Sequence, residues 1–444
     1  MKVNALIFVP SELEMSQMLE EHPFLRQKES YKTRYLNALD YFLRKYAGKD
    51  PWAFQTFQLY VRKILGEEKK YQYGGFPPFC SRKPQLFVYF PYHCCLLLDC
   101  IFLCAYNDKK KAKVIFWDVA SICPGSDPKE FRKFFDSLYD PSVLVRRIDP
   151  IRSLKSCWDV NRAHIRNKPV KILVTATVSA GKSTLLNALV GRKVNKTQHK
   201  ACTAKIHVLA NKPFEDGLCC KLDYRLTLDA DPEKCLTDDP DNRSSEILIG
   251  THFRTIGASP GRVWLIDTPG VNSAHYIEHK LLTENAIRSS EADLLIYLLN
   301  AQNIGVDDDR RHLLFVRNHY FGKILFVVNQ LDGFKKKEDS VEETLQKAAE
   351  ELSGLGFEDP RVVPVSAYAA FLAKKVLFHE LLDEDEQSDY RFLAEKMEDP
   401  ELWLNACYPG EENAADAIRE NEKSCRLLLH SGLLQLENII YNMR

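Results

Sequence analysis

The chain is 444 residues long, enough for two or three domains at roughly 150 residues each, and its 45% apolar and 27% charged residues exclude a disordered or fibrous protein. Lys plus Arg (61) equals Asp plus Glu (61), so no net field draws the whole molecule to nucleic acid or anionic lipid, and either would need a local patch. Thirteen Cys without a regular spacing ladder, and a start at Met1–Pro10 without the pattern of a secretory leader, indicate a reducing, cytosolic setting.

Tyr31–Tyr46 places Tyr35, Leu36, Leu39, Phe42 and Leu43 on one stripe, which is helical spacing, and a second helix is predicted over Trp52–Leu65. Leu86–Tyr106 is apolar over a length that would cross a membrane, but Pro91, His93 and Asp99 lie inside it. A charge at mid-bilayer costs about 3 kcal/mol, so the stretch is read as buried elements. After the break at Gly74–Pro78, the runs Leu86–Phe90, Cys94–Ala105 and Lys113–Val119 are predicted strands, separated by polar connectors such as Asn107–Lys111. Residues 1–150 are therefore expected to form a small α+β module whose role no motif discloses. Residues 151–167 read as a linker with a helix around Ile151–Ile165, ending before Lys168-Pro169.

From 168 to 444 the texture changes. Short apolar strands at Val170–Thr175, Val263–Ile266, Leu294–Leu299, Lys323–Val328 and Val362–Val365 alternate with helical segments such as Ser183–Leu189. This predicts the α/β class, with a mostly parallel sheet flanked by helices. Cys219–Leu248 is Asp-rich and is read as an irregular surface insertion.

Four loops carry chemistry. In Val170–Gly191 an apolar strand runs into Ala-x-x-x-x-Gly-Lys-Ser and then a helix, a phosphate-binding loop in its required setting. Backbone N–H groups of Ala180, Gly181, Lys182, Ser183 and Thr184 at the helix start converge on a di- or triphosphate; Lys182 neutralises the β/γ oxygens and the Ser183 hydroxyl is placed for Mg²⁺. Ala176 stands where Gly is usual, which requires a negative φ there. In Val263–Asn272 a strand ends in Asp-Thr-Pro-Gly, so that Asp267 reaches Mg²⁺ through water and the Gly270 N–H meets the γ-phosphate. Ile324–Asp332 ends in Asn329-Gln330-Leu331-Asp332 and resembles the N-K-x-D signature that reads guanine. There the Asp332 carboxylate accepts from guanine N1–H and the 2-amino group, which adenine does not offer, and Asn329 braces the loop. Gln330 replaces the usual Lys, whose lost stem and ammonium lower nucleotide affinity while guanine choice survives. Finally, Val362–Tyr368 presents Ser366-Ala367 in the manner of an S-A-K loop whose backbone N–H meets guanine O6.

The order of these loops resembles a translational-factor-type P-loop GTPase. Ser179–Ser183 (S-A-G-K-S), continuing T-L-L-N-A-L, narrows the resemblance to the dynamin superfamily, in particular bacterial dynamin-like proteins. Ala201-Cys202-Thr203-Ala204, before the strand-like Lys205–Leu209, resembles that family's P-T-T-A switch, and the likeness extends over about Lys168–Arg444 to a closing Ser431-Gly432-Leu433-x-x-Leu436 helix. The resemblance implies GTP and GDP as ligands and Mg²⁺ held by Ser183, Thr203 and Asp267. It implies hydrolysis of the β–γ anhydride by a set comprising Ser179, Lys182 and Thr203, with Thr197 a poorer candidate for the switch threonine. It also implies a homodimer or homo-oligomer formed through this domain. Val178 stands where dynamins keep a Gln that helps to place water, which implies slow or partner-dependent turnover. No room for the family's stalk and paddle follows before Arg444, so membrane remodelling is not implied, and contact with a protein effector or a membrane periphery falls to the N-terminal module.

His93-Cys94-Cys95 with Cys100 and Cys104 lacks metal-ligand spacing and reads as buried thiols. Lys109–Lys113 and Lys335–Lys337 read as solvated basic runs, Asp307–Asp309 as the acidic start of a helix, and Leu433, Leu436, Ile439 and Ile440 as a packing stripe. Two other functions stand beside the GTPase. One is a nucleotide-dependent, partner-recruiting module in which GTP orders Lys196–Ala204 and Asp267–Ala274 with little hydrolysis. The other is a ribosome-assembly GTPase, but neither end shows a G-x-x-G RNA loop or a strongly basic domain, so no nucleic acid is expected.

Overall fold

Pro51, Pro91 and Pro128 each occupy the first or second position of a helix, where no backbone N–H is needed, so they start helices instead of breaking them. The computed structural model describes residues 19–20, 22–66, 69–75, 89–123, 127–194, 205–222, 225–228, 230–231, 246–256, 260–270, 277–334, 340–408 and 422–443. Its N-terminal part contains helices α1 Glu29–Tyr46, α2 Pro51–Leu65, α3 Phe90–Ala105, α4 Lys109–Ile122, α5 Pro128–Ser137 and α6 Arg152–Arg166.

The strands expected at Cys94–Ala105 and Lys113–Val119 are therefore α3 and α4, and the α+β reading of this part is corrected to helical among the described residues. Of Leu86–Phe90 only the last two residues are described, and Phe90 opens α3. The misreading has a physical cause: α3 packs against α1, α2, α4 and α5, so it is apolar on every face and has no period to read. In α4 the buried residues Ala112, Ile115, Phe116 and Val119 do follow helical spacing, and the Asp108 side chain caps the start by accepting from the Lys111 N–H at 2.9 Å.

Asp99, fully buried in α3, is the charge that argued against a spanning helix. It accepts from Tyr60 Oη at 2.8 Å, from Tyr35 Oη, and from His22 Nε2 at 3.0 Å. Burial next to this carboxylate pushes both tyrosine hydroxyls well above their ordinary range. Cys95 Sγ lies 3.4 Å from His22 Nε2, so His22, Cys95 and Asp99 are close enough together to suggest a metal site. The His22 ring speaks against it: Nδ1 accepts from the Phe24 N–H at 3.3 Å, which leaves the ring proton on Nε2, facing Asp99. Cys94, Cys95 and Cys100 are buried free thiols, as expected. Among the described residues no helix is long and apolar enough to cross a membrane.

The rest of the described chain is built on one nine-stranded sheet with strands β1 Val170–Ala176, β2 Ile206–Asn211, β3 Cys219–Leu222, β4 Arg225–Leu228, β5 Glu246–Thr251, β6 Val263–Asp267, β7 Leu294–Asn300, β8 Ile324–Asn329 and β9 Val362–Pro364. Their order is β4-β3-β5-β2-β6-β1-β7-β8-β9. The run β6-β1-β7-β8-β9 is parallel, β2 is antiparallel to β6, and β3 pairs antiparallel with both β4 and β5. Cys219–Leu248 thus begins as a hairpin and ends in a sheet strand, which corrects its reading as an irregular insertion; residues 232–245 lie outside the described set. Strands of four residues are too short to carry a clear alternation of their own.

Around the sheet lie helices α7 Lys182–Val190, α8 Ile277–Arg288, α9 Asp307–His319, α10 Val341–Gly354, α11 Ala367–Leu377, α12 Glu384–Lys396, α13 Lys423–His430 and α14 Leu433–Tyr441. The helical part joins the sheet through α2 against β4, through His164 Nε2 and Asn211 O at 3.1 Å, and through Arg262 Nη1, which donates to Ile165 O and Asn167 O. Across the parallel run Val174 lies beside Asp267 and Asn300 beside Asn329, so the C-terminal strand ends share one edge. In an open α/β sheet that edge is where ligands bind.

Tyr60→Phe removes one of the donors to a fully buried carboxylate. It is expected to lower unfolding free energy by about 1–3 kcal/mol in denaturant titrations; no change would mean that Asp99 does not depend on this bond.

Candidate functional site

At the sheet's C-terminal edge β1 delivers Ala176, fully buried and with φ outside the positive range, so the alanine is tolerated where glycine is usual. The left-handed turns fall later in the loop, at Ser179 (φ 68°) and Gly181 (φ 88°). Gly181 is required for a second reason: a Cβ there would lie 2.3 Å from Asn329 Nδ2. Helix α7 starts at Lys182, so Ser183 and Thr184 stand in its first turn, where unpaired N–H groups and the helix dipole favour an anion.

Lys182 Nζ is ion-paired with Asp267 Oδ1, and both side chains are nearly buried. The residue expected to grip phosphate and the one expected to serve the metal therefore meet directly. Thr268 ties the same strand end to β1, its hydroxyl donating to Val174 O at 3.0 Å. Gly270 follows at the loop entry, where an added Cβ would be 3.3 Å from Val178 Cγ2, so this loop packs on the phosphate loop. Thr203 and Thr197, the switch candidates, lie outside the described residues.

The base-reading loops meet the same point from the other side. Asn329, only 2% exposed, donates from Nδ2 to Ala180 O at 2.9 Å and accepts on Oδ1 from the Ala367 N–H at 3.0 Å. Gln330, at φ 68°, donates from Nε2 to Ser179 O at 2.8 Å. Asp332 Oδ1 accepts from Ser366 Oγ at 2.9 Å, and the Ser366 N–H donates to Ser431 O at 2.9 Å, which anchors this loop on the closing Ser431-Gly432 turn. Apart from Thr197 and Thr203, the residues singled out for the nucleotide site lie at one sheet edge.

Three partners escaped sequence reasoning. Behind the phosphate loop, Asp309 Oδ1 accepts from Thr177 Oγ1 at 3.1 Å and from Tyr297 Oη at 3.0 Å, and His312 Nε2 lies 2.9 Å from Thr175 Oγ1. Asp309 was legible only as a helix-start acid. Burial raises its carboxyl above the ordinary range and lowers His312 to about 4. The third is Lys396, which donates from Nζ to Asp332 O at 2.6 Å. It lies in a helix that carries no motif, so nothing in the sequence pointed to it.

The Dynamin family model matches residues 172–331, the stretch that holds the phosphate loop, Asp-Thr-Pro-Gly and most of the base-reading loop. These residues are a P-loop GTPase module of the dynamin superfamily. Dynamin-like protein A of Bacillus subtilis is 26% identical over 175 residues, 37% of this chain and 14% of that protein. Sulfate adenylyltransferase subunit 1 of Tolumonas auensis is 28% identical over 201 residues, 45% of this chain and 38% of that protein. The chain thus spans less than two fifths of the length of either curated relative. Among solved structures, a chain described under an oligomerised bacterial dynamin pair covers 94% of this chain and 72% of its own length at 16% identity and TM-score 0.33. Era of Aquifex aeolicus bound to GDP.AlF4⁻ covers 49% and 59% at 20% identity and TM-score 0.28.

His312 gives the GTPase module a pH signature. Because its folded value is about 4 against 6.5 unfolded, the unfolded chain takes up this proton first as pH falls. Its contribution is intact above pH 6.5 and is lost between 6.5 and 4, a fall of about 3 kcal/mol. Unfolding free energies measured across this range for the native chain and His312→Asn should converge toward the acid end; parallel curves would contradict the burial of a neutral ring.

Proposed function

We propose that the chain binds GTP with Mg²⁺ at this edge and hydrolyses it to GDP. The observation that carries the reading is the Asn329 side chain, which joins the phosphate loop at Ala180 to the Ala367 loop and so supports a base-reading role for Asp332 next to that loop. Lys182, with the N–H groups of Ala180–Thr184, would take the terminal phosphates, and Asp332, with the Ala367 loop, the base. A hydroxyl and a carboxylate, Ser183 and Asp267, form an oxygen donor set that suits Mg²⁺, and Thr203 would join them from the switch. When bound, that ion supplies charge neutralisation for the leaving diphosphate. Positioning and charge are what the protein contributes to such a transfer: Lys182 stabilises the oxygens as they gain charge, and water is the nucleophile.

A second reading, nucleotide-dependent recruitment of a partner with little turnover, is favoured by Val178. Its side chain is 48% exposed against Gly270, so an apolar group stands where a polar one would orient water. A self-associating module, active when a second copy or an effector completes the site, reconciles the two readings. The effector would be a protein or a membrane periphery, in a cytoplasmic setting.

Phosphate release measured with GTP and ATP should show turnover with GTP alone, lost by a factor of about 100 or more in Lys182→Ala. Equal use of both nucleotides would refute the guanine assignment, and tight GTP binding without turnover at any protein concentration would select the recruiting module. Asp332→Ala is expected to weaken GTP binding about 10- to 100-fold in calorimetry while leaving the weak binding of ATP where it was.

A further inference from the structure

Lys396 ends α12, outside every nucleotide motif, yet its ammonium donates to the main-chain oxygen of Asp332 at 2.6 Å. The carboxylate of the same residue is held separately, by Ser366 Oγ at 2.9 Å. Asp332 is thus gripped at its backbone and at its side chain from two different elements. The short turn that carries it, Leu331–Gly333, is otherwise closed by two backbone bonds, Gly333 N–H to Gln330 O at 3.2 Å and Phe334 N–H to Leu331 O at 3.1 Å.

We propose that Lys396 is a positioning residue for nucleotide specificity: by clamping the Asp332 carbonyl it aims the Asp332 carboxylate so that both oxygens meet the N1–H and 2-amino edge of a guanine. The inference rests on the GTP reading above. A carboxylate that must meet two parallel donors is sensitive to rotation of its turn, since a tilt that keeps one bond lengthens the other. Gln330, at the head of the turn, is in the left-handed region, which a non-glycine residue keeps only when its surroundings hold it there. The charge-assisted bond from Lys396 to the carbonyl restrains the turn from its backbone, as the Ser366 bond restrains it from the side chain.

The clamp is itself well placed. The Lys396 ammonium lies 5.6 Å from the Phe392 ring centroid on the same helix, so its stem is guided along an aromatic face. Helix α12 is fixed at its far end by a reciprocal cap between Asp383 and Glu386, and in its middle by Tyr368 Oη, which donates to Asp389 at 2.7 Å. Tyr368 follows Ser366 and Ala367 directly, so the helix that bears Lys396 and the loop expected at guanine O6 move together.

Calorimetric titration of the full chain with GTP and with ITP, which lacks the 2-amino group, isolates this role. The native chain should prefer GTP. Lys396→Met, which keeps the stem and loses the donor, is expected to cut the GTP-over-ITP ratio about fivefold or more, with little change in thermal midpoint, and Lys396→Arg is expected to restore most of it. Lys396→Leu, likewise without a donor, gives the same readout should the methionine variant lose its fold. An unchanged ratio in the folded variant overturns the proposal, as does equal loss of GTP and ITP affinity, the signature of a merely structural bond. A native chain that binds neither nucleotide overturns the GTP reading itself.

Discussion

The nucleotide end of the molecule depends on one side-chain amide. Asn329 must donate to Ala180 O and accept from the Ala367 N–H at the same time, at 2.9 and 3.0 Å, in a place almost sealed from water. Aspartate offers no donor and lysine no acceptor, so no isosteric substitute satisfies both partners, and a half-satisfied buried pair loses more than it gains. The same amide dictates what may stand opposite. Gly181 has neither room for a Cβ nor a φ that suits one. Phosphate loop and base loop are therefore a single unit joined by a group that contacts both.

That unit can be placed accurately because β1 lies inside the sheet, paired in parallel on both sides with β6 and β7. Behind it, the polar groups of β1 and its loop are met by side chains of α9, namely Thr175 by His312 and Thr177 by Asp309, which also accepts from Tyr297 of β7. Burial keeps the imidazole neutral at ordinary pH and raises the Asp309 carboxyl above its ordinary range. Asp99 in the helical part meets a similar demand differently: its charge is enclosed by hydroxyls and an imidazole N–H, without a Lys or Arg among its close partners.

What the sequence disclosed follows from where the signal is local. Strand, loop and helix are contiguous in Val170–Gly191, and the strands feeding Asp267, Asn329 and Ser366 are short apolar runs with polar ends, so the site residues and the parallel half of the sheet were legible. The helical part was not. In α3 an apolar surface on all sides removes the period that separates helix from strand, and Pro91 reads as an interruption unless its position at the helix start is known. The β3–β4 hairpin, Asp309 and Lys396 belong to a second kind of omission. The hairpin's strands are four residues each, too short to show alternation, while Asp309 and Lys396 meet partners distant in sequence that nothing in their own neighbourhood marks.

Gln330 shows how a departure from a signature can keep its geometry while changing its electrostatics. Its amide donates to Ser179 O, and both residues are non-glycine positions at φ 68°. Each such conformation costs about 1–3 kcal/mol, so the two turns persist because each is held by the other. A neutral amide keeps this bracing bond to the Ser179 carbonyl but without the charge assistance an ammonium would bring. What the exchange removes is a positive charge near the phosphates and an aliphatic stem along the base. The ammonium of Lys396, from another element, bonds the Asp332 carbonyl instead. Under the proposed GTP reading, this cation bears on how Asp332 is held and not on the phosphates.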